Sequence, residues 1–207
     1  MKEIVKFIKE GLKITSKTKV VKYNYHPKTK KELQDLLKQL IEERGNEGDF
    51  NDIDVSKIKD MYGLFDNIDN RDKFNGDISN WDVSNVTDMY SMFYGCKSFN
   101  RSLAKWKVFN VTNMEFMFYE CESFNQPLDD WDVSNVTDMK YMFDECKSFN
   151  QPLNNWNVSN VTNMRSMFVN CKSFNQDISD WDVSKVKYNQ KIFYNCQIEE
   201  KYKPKFK

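Results

Sequence analysis

Histidine is almost missing from this chain: His26 is the only one in 207 residues. A His-based catalytic triad, a histidine metal site and a His acid–base pair are set aside on that ground. His26 precedes Pro27 and reads as a turn residue. No glycine-rich phosphate loop appears among the six glycines. The five cysteines never come in closely spaced pairs, which removes the usual zinc spacings. No apolar run approaches a transmembrane length. The start, "MKEIVKFIKEGLKI", breaks its apolar residues with a charge every three or four positions, so it has no signal-peptide core. The expected compartment is therefore the cytoplasm, where cysteines stay reduced. Enzyme chemistry and bound cofactors are not expected.

What the chain has instead is a repeat of 25 residues. Trp81, Trp106, Trp131, Trp156 and Trp181 keep that step, as do Cys96, Cys121, Cys146, Cys171 and Cys196. Phe74, Phe99, Phe124, Phe149 and Phe174 do so too, each followed by asparagine. A fixed period of this size means similar units stacked on one another, each burying its apolar face against the next. Within one unit, Trp131 and Val133 alternate with polar residues, which predicts a short strand. Met139, Met142, Phe143 and Cys146 fall at i, i+3, i+4 and i+7, which predicts a short helix capped by Thr137. Phe149, Asn150, Pro152 and Leu153 return the chain. The expected architecture is an α/β solenoid of about six coils, residues 51–197, each with one parallel strand and one short helix. Its first copy is offset by 28 residues (Ile53, Val55, Ile58, Met61, Leu64, Phe65), and its last drifts in "KVKYNQKIFYNC". Both read as caps.

The signatures "MFYGC", "MFYEC", "MFDEC" and "MFVNC", with "FNQPL", "WDVSNVT" and the 25-residue step, resemble the leucine-rich repeats of the BspA-like bacterial surface proteins. The likeness runs from Ile53 to Cys196. It implies the strand-plus-helix coil and a binding or adhesive role, and it brings no catalytic residue. "YHPKTKKEL" also resembles the cap that accompanies this repeat.

The ends differ from the repeats. Lysine and arginine together balance aspartate and glutamate at 31 each, but residues 1–31 hold ten lysines against Glu3 and Glu10. Ile4, Phe7, Ile8 and Leu12 mark an amphipathic helix expected to dock on the solenoid rather than on a membrane. Val21, Tyr23 and Tyr25 predict a short extended stretch. A second helix follows, with Thr29 and Glu32 as a capping box, Leu33, Leu36, Leu37, Leu40 and Ile41 as its stripe, and Gly45 at its C-terminal cap. Residues 1–50 are thus a basic helical cap, and 198–207 a basic tail.

Most recurring polar residues read as structure. The cysteines form a ladder of small apolar fillers, the asparagines after each Phe a ladder bridging coils, and the "NVT" sequons are accidental. The candidate site lies where one copy departs from the rest. The outward positions beside Trp and Val are Asp, Asn and Ser in five rows, including Asp82, Asp130 and Asp132. In the third row they are Lys105, Lys107 and Phe109. A basic, aromatic spot in an acidic field is a candidate anchor for a protein partner; the plainer reading is drift that relieves acid repulsion. The expected function is a monomeric, non-enzymatic protein-binding scaffold inside the cell. One form of it is an inhibitor carried by a phage or mobile element that grips a host defence protein. A surface or adhesion protein exported by an unrecognised route is the alternative, and nucleic-acid binding through the lysine-rich start is the third reading.

Overall fold

A computed structural model of the protein describes residues 23–206. The expected amphipathic helix around Ile4, Phe7, Ile8 and Leu12, together with Val21 and most of the lysine-rich start, lies outside the described residues.

The stack begins with one helix, α1, Lys30–Arg44. Its N-terminus is held by half of the capping box and a variant of the other half: Thr29 Oγ1 accepts the Glu32 N–H at 3.2 Å, while the Glu32 carboxylate accepts the N–H of Lys28, one residue before the cap, at 2.8 Å. Gly45, at φ 75°, ends it and donates its N–H to the Ile41 carbonyl. Leu33, Leu37 and Leu40 are fully buried against the first coil. Gln34 joins them, donating from Nε2 to the Gly63 and Leu64 carbonyls. Arg44 forks onto Asp52 at 2.7 and 3.1 Å, which holds the Asp52 carboxyl below its ordinary range.

Beyond α1, the strand and helix expected in each coil are both absent. Among the described residues there are two one-turn 3-10 helices, Arg71–Lys73 and Glu200–Tyr202, and isolated parallel bridges, but no strand or sheet. The strand-plus-helix leucine-rich-repeat architecture is therefore incorrect for this chain, and turns build the coils.

The hydrogen bonds show why. At the expected strand, Trp131 N–H closes on the Leu128 carbonyl at 3.0 Å, and Ser134 N–H on Asp132 Oδ1 at 3.1 Å. These amides are used within the coil and cannot pair with a neighbour. At the expected helix, Met142 N–H bonds Met139 and Cys146 N–H bonds Phe143, both three residues back rather than four. Tyr141 and Glu145, third in these two turns, sit at φ 55° and 63°. Positive φ there is the mark of a type II turn and ends any α-helix. Two successive turns of this kind still place Met139, Met142, Phe143 and Cys146 inside, all at 0% exposure.

Alternate amides of the same segment point along the stack. Met139, Tyr141, Phe143 and Glu145 donate to the Asn163, Arg165, Met167 and Val169 carbonyls of the next coil at 2.9–3.0 Å. Side chains repeat the register. Trp131 Nε1 donates to the Leu103 carbonyl at 3.1 Å, Asn125 N–H to Asn100 Oδ1 at 3.0 Å, and Thr137 Oγ1 to the Thr112 carbonyl at 3.2 Å. The asparagines of the "NVT" triplets are rungs as well, with Asn110, Asn135 and Asn160 bonding carbonyls one coil back. Inside, Phe93, Phe118, Phe143 and Phe168 stack at 5.5–5.6 Å between centroids. Cys121, Cys146 and Cys171 are buried beside them, each Sγ within 3.0–3.1 Å of a phenylalanine carbonyl of the preceding coil, and burial pushes these thiols well above their ordinary pKa.

Candidate functional site

The residues flanking each Trp-x-Val face solvent even though no strand forms there. Lys105, Lys107 and Phe109 are exposed and alternate with the buried Trp106 and Val108. Phe109 is 40% exposed, although its carbonyl is held by Asn135 Nδ2 at 2.7 Å. Lys105 Nζ donates to Asn80 Oδ1 of the preceding coil at 2.7 Å. Asp82 joins Lys105 and Lys107 around a shallow groove of about 310 Å³ floored by Trp81.

Asp130 and Asp132 lie one coil further on and do not line that groove. Asp130 is exposed. Asp132 accepts the Ser134 amide and hydroxyl at 3.1 and 2.6 Å, which keeps its carboxyl below the ordinary range. Asp82 accepts the Ser84 amide at 3.1 Å in the same way. Aspartate in these rows thus closes a local turn through its own side chain. In the third coil, Lys107 and Phe109 replace the Asp and Ser that make this closure, so the substitution removes a turn bond as well as reversing charge.

A second surface feature has no counterpart in the sequence expectations. Tyr62, Tyr90, Tyr94, Phe116, Tyr119 and Tyr141 form an aromatic ridge on the turn side of the stack. Tyr62 stacks on Tyr90 at 4.8 Å, Tyr94 on Tyr119 at 4.9 Å, and Phe116 on Tyr141 at 4.7 Å. Lys140 lies over Phe116 and Tyr141 at 5.3 and 5.4 Å and pairs with Glu115. The stacked pairs meet one another edge to face, Tyr90 on Phe116 at 5.7 Å and Phe116 on Tyr119 at 5.6 Å. Beyond the ridge, Asp144 is 6% exposed, and burial, reinforced by the charge of Glu145, raises its carboxyl to about 7. The only sequence signal for the ridge was the switch from aromatics to Ser166, Asp144 and Val169 at equivalent positions.

Among the described residues, no group of three or more metal-ligating side chains comes together, and no helix is long and apolar enough to cross a membrane. The basic tail folds back across the last coil, where Tyr202 accepts the Ile178 N–H at 3.0 Å.

Stacked turns in a constant register, with one outward row unlike the others, define a repeat protein. The chain belongs to the family described as "Mycoplasma protein of unknown function, DUF285", which matches residues 33–137 and 128–202. No curated protein and no solved structure matches it.

Proposed function

We propose that this protein is a non-enzymatic scaffold that binds another protein through the outward face of its third coil. The observation that carries this reading is the row Lys105, Lys107 and Phe109. A phenylalanine 40% exposed gains nothing from water, while at an interface it fills a pocket. The neighbouring lysines, above a groove edged by Asp82, steer an acidic partner and raise its on-rate more than its affinity. The likeness of the 25-residue signature to BspA-like surface repeats favours a second reading in the same class, a surface or adhesion protein.

The test is affinity capture with the native protein and with Lys105→Asp/Phe109→Ser, which restores residue types of the sister coils. A partner retained by the native protein and lost by the variant supports the reading. Equal capture by both removes this face from the interaction.

A further inference from the structure

We propose that the C-terminal end of the stack is a second, separate binding edge that takes up an extended acidic segment of a partner protein. The argument starts from backbone hydrogen bonds. In the fifth coil, the N–H groups of Met164, Ser166, Phe168 and Asn170 donate to the Tyr188, Gln190, Ile192 and Tyr194 carbonyls of the sixth at 2.8–3.0 Å. The equivalent donors of the sixth coil are Asn189, Lys191, Phe193 and Asn195. Among the described residues, none of the four meets an acceptor. The amides between them, Ile192 and Tyr194, are used in local turns. Lys191 and Asn195, at φ 59° and 58°, fix the orientation of the row as in the second to fifth coils.

This edge differs from that of an ordinary strand, where donors and acceptors alternate. Four N–H groups point the same way, and the Lys187 carbonyl is the acceptor beside them, its equivalents Thr137 and Thr162 each receiving an N–H from the next coil. Such an edge rejects an identical copy of itself, because donors would face donors. The other end of the stack is closed by α1, whose Gln34 already occupies the Gly63 and Leu64 carbonyls. The complement is a chain that offers a row of backbone carbonyls, as in strand addition.

Charge and shape narrow the partner. Lys185, Lys187 and Lys191 stand where the two preceding coils have Asn, Thr, and Tyr or Ser. Residues 185–205 carry six lysines against Glu199 and Glu200. Beside the donor row, a cavity of about 860 Å³ opens between coil and tail, lined by Trp181, Val183, Ile192, Phe193 and Phe206. Tyr188 and Tyr194, 55% and 63% exposed, belong to the same coil. An extended segment alternating acidic and apolar side chains satisfies all three: carbonyls to the N–H row, carboxylates to the lysines, one apolar side chain in the cavity.

The probe is an octapeptide alternating glutamate and valine, added to the whole protein while amide hydrogen exchange is followed residue by residue. Its alternating lysine–valine counterpart and an oligothymidylate of eight nucleotides serve as comparisons. Binding of the acidic peptide with slowed exchange at residues 189, 191, 193 and 195 is expected. Lys187→Thr/Lys191→Ser, which restores sister residue types, should weaken it at least tenfold. Absence of peptide binding, binding without protection of those four amides, or an unaffected double variant overturns the proposal. So does protection of the same amides by the lysine peptide, by the oligonucleotide alone, or by self-association seen in sedimentation. Capture through the Lys105 face is read separately, so either conclusion can fail without the other.

Discussion

Gly95→Ala decides between a helix and a pair of turns by the sign of its effect. In an α-helix, glycine to alanine is stabilising by about 1 kcal/mol. In the turn seen here, Gly95 sits at φ 71°, where an L residue costs roughly 1–2 kcal/mol. A Cβ would also lie 3.2 Å from Arg71 Nε, the end of a side chain packed 5.2 Å from the Tyr94 ring. That contact yields by moving Arg71, so the backbone term dominates. A loss of about 1–2 kcal/mol is expected from urea unfolding followed by tryptophan fluorescence, with an unchanged slope. Glu120→Gly is the reciprocal change, since Glu120 holds φ 59° at the equivalent position and its nearest cation, Lys97, is 3.9 Å away. It should be stabilising by about 0.5–1 kcal/mol, because relief of the left-handed backbone outweighs the entropy glycine gains when unfolded. If Gly95→Ala raises the midpoint and Glu120→Gly lowers it, the segment is helical and the stacked-turn description fails.

Three further outcomes follow from the core. The Asp144 carboxyl, raised to about 7 from an ordinary 3.8, holds in the folded state a proton that the unfolded chain releases first. Stability from this group is therefore full below pH 3.8, declines as pH rises, and is lost above about 7; Asp144→Asn should be stabilising by roughly 2–4 kcal/mol at pH 8 and nearly neutral at pH 3 in paired melts. A constant difference between the two proteins across that range would contradict the assignment. Trp131→Ala, at a side chain 3% exposed and bonded to Leu103, should cost about 3–5 kcal/mol in denaturant unfolding, against under about 0.5 for Asp130→Ala. Of the five cysteines, Cys196 alone is partly exposed, so a thiol reagent should label it first while the other four react only on unfolding; simultaneous labelling of all five in the native protein would be inconsistent with the packed ladder.

Much of the interior was legible because burial needs only periodicity. Trp131, Val133, Met139, Met142, Phe143 and Cys146 are all in the core. The stripe and capping residues of α1 likewise gave a helix where one exists. The secondary structure of the coil was not legible from the same pattern, because i, i+3, i+4 and i+7 is also the spacing of inward residues in two consecutive four-residue turns. The missed signal was chemical: Gly95, Asn170 and Asn195 precede cysteine at one repeated position, and Gly and Asn are the residues that tolerate positive φ. The Asp-x-Ser and Asn-x-Ser triplets marked side-chain-closed turns as well, although they read as an exposed polar row. Lys105, Lys107 and Phe109 were found because they break a repeated rule, whereas the N–H row at the last coil, without an acceptor among the described residues, could not be seen in any side-chain pattern.

From the second coil onward, the uniform register gives the stack the mechanics of a coil spring. The inter-coil bonds of the turn segment lie along the axis, so tension along it loads successive coil junctions in series. The junction that yields first releases a whole 25-residue loop, about 80–90 Å of extended chain. Yielding advances in steps of one coil, and each released loop slackens the pull on those that remain.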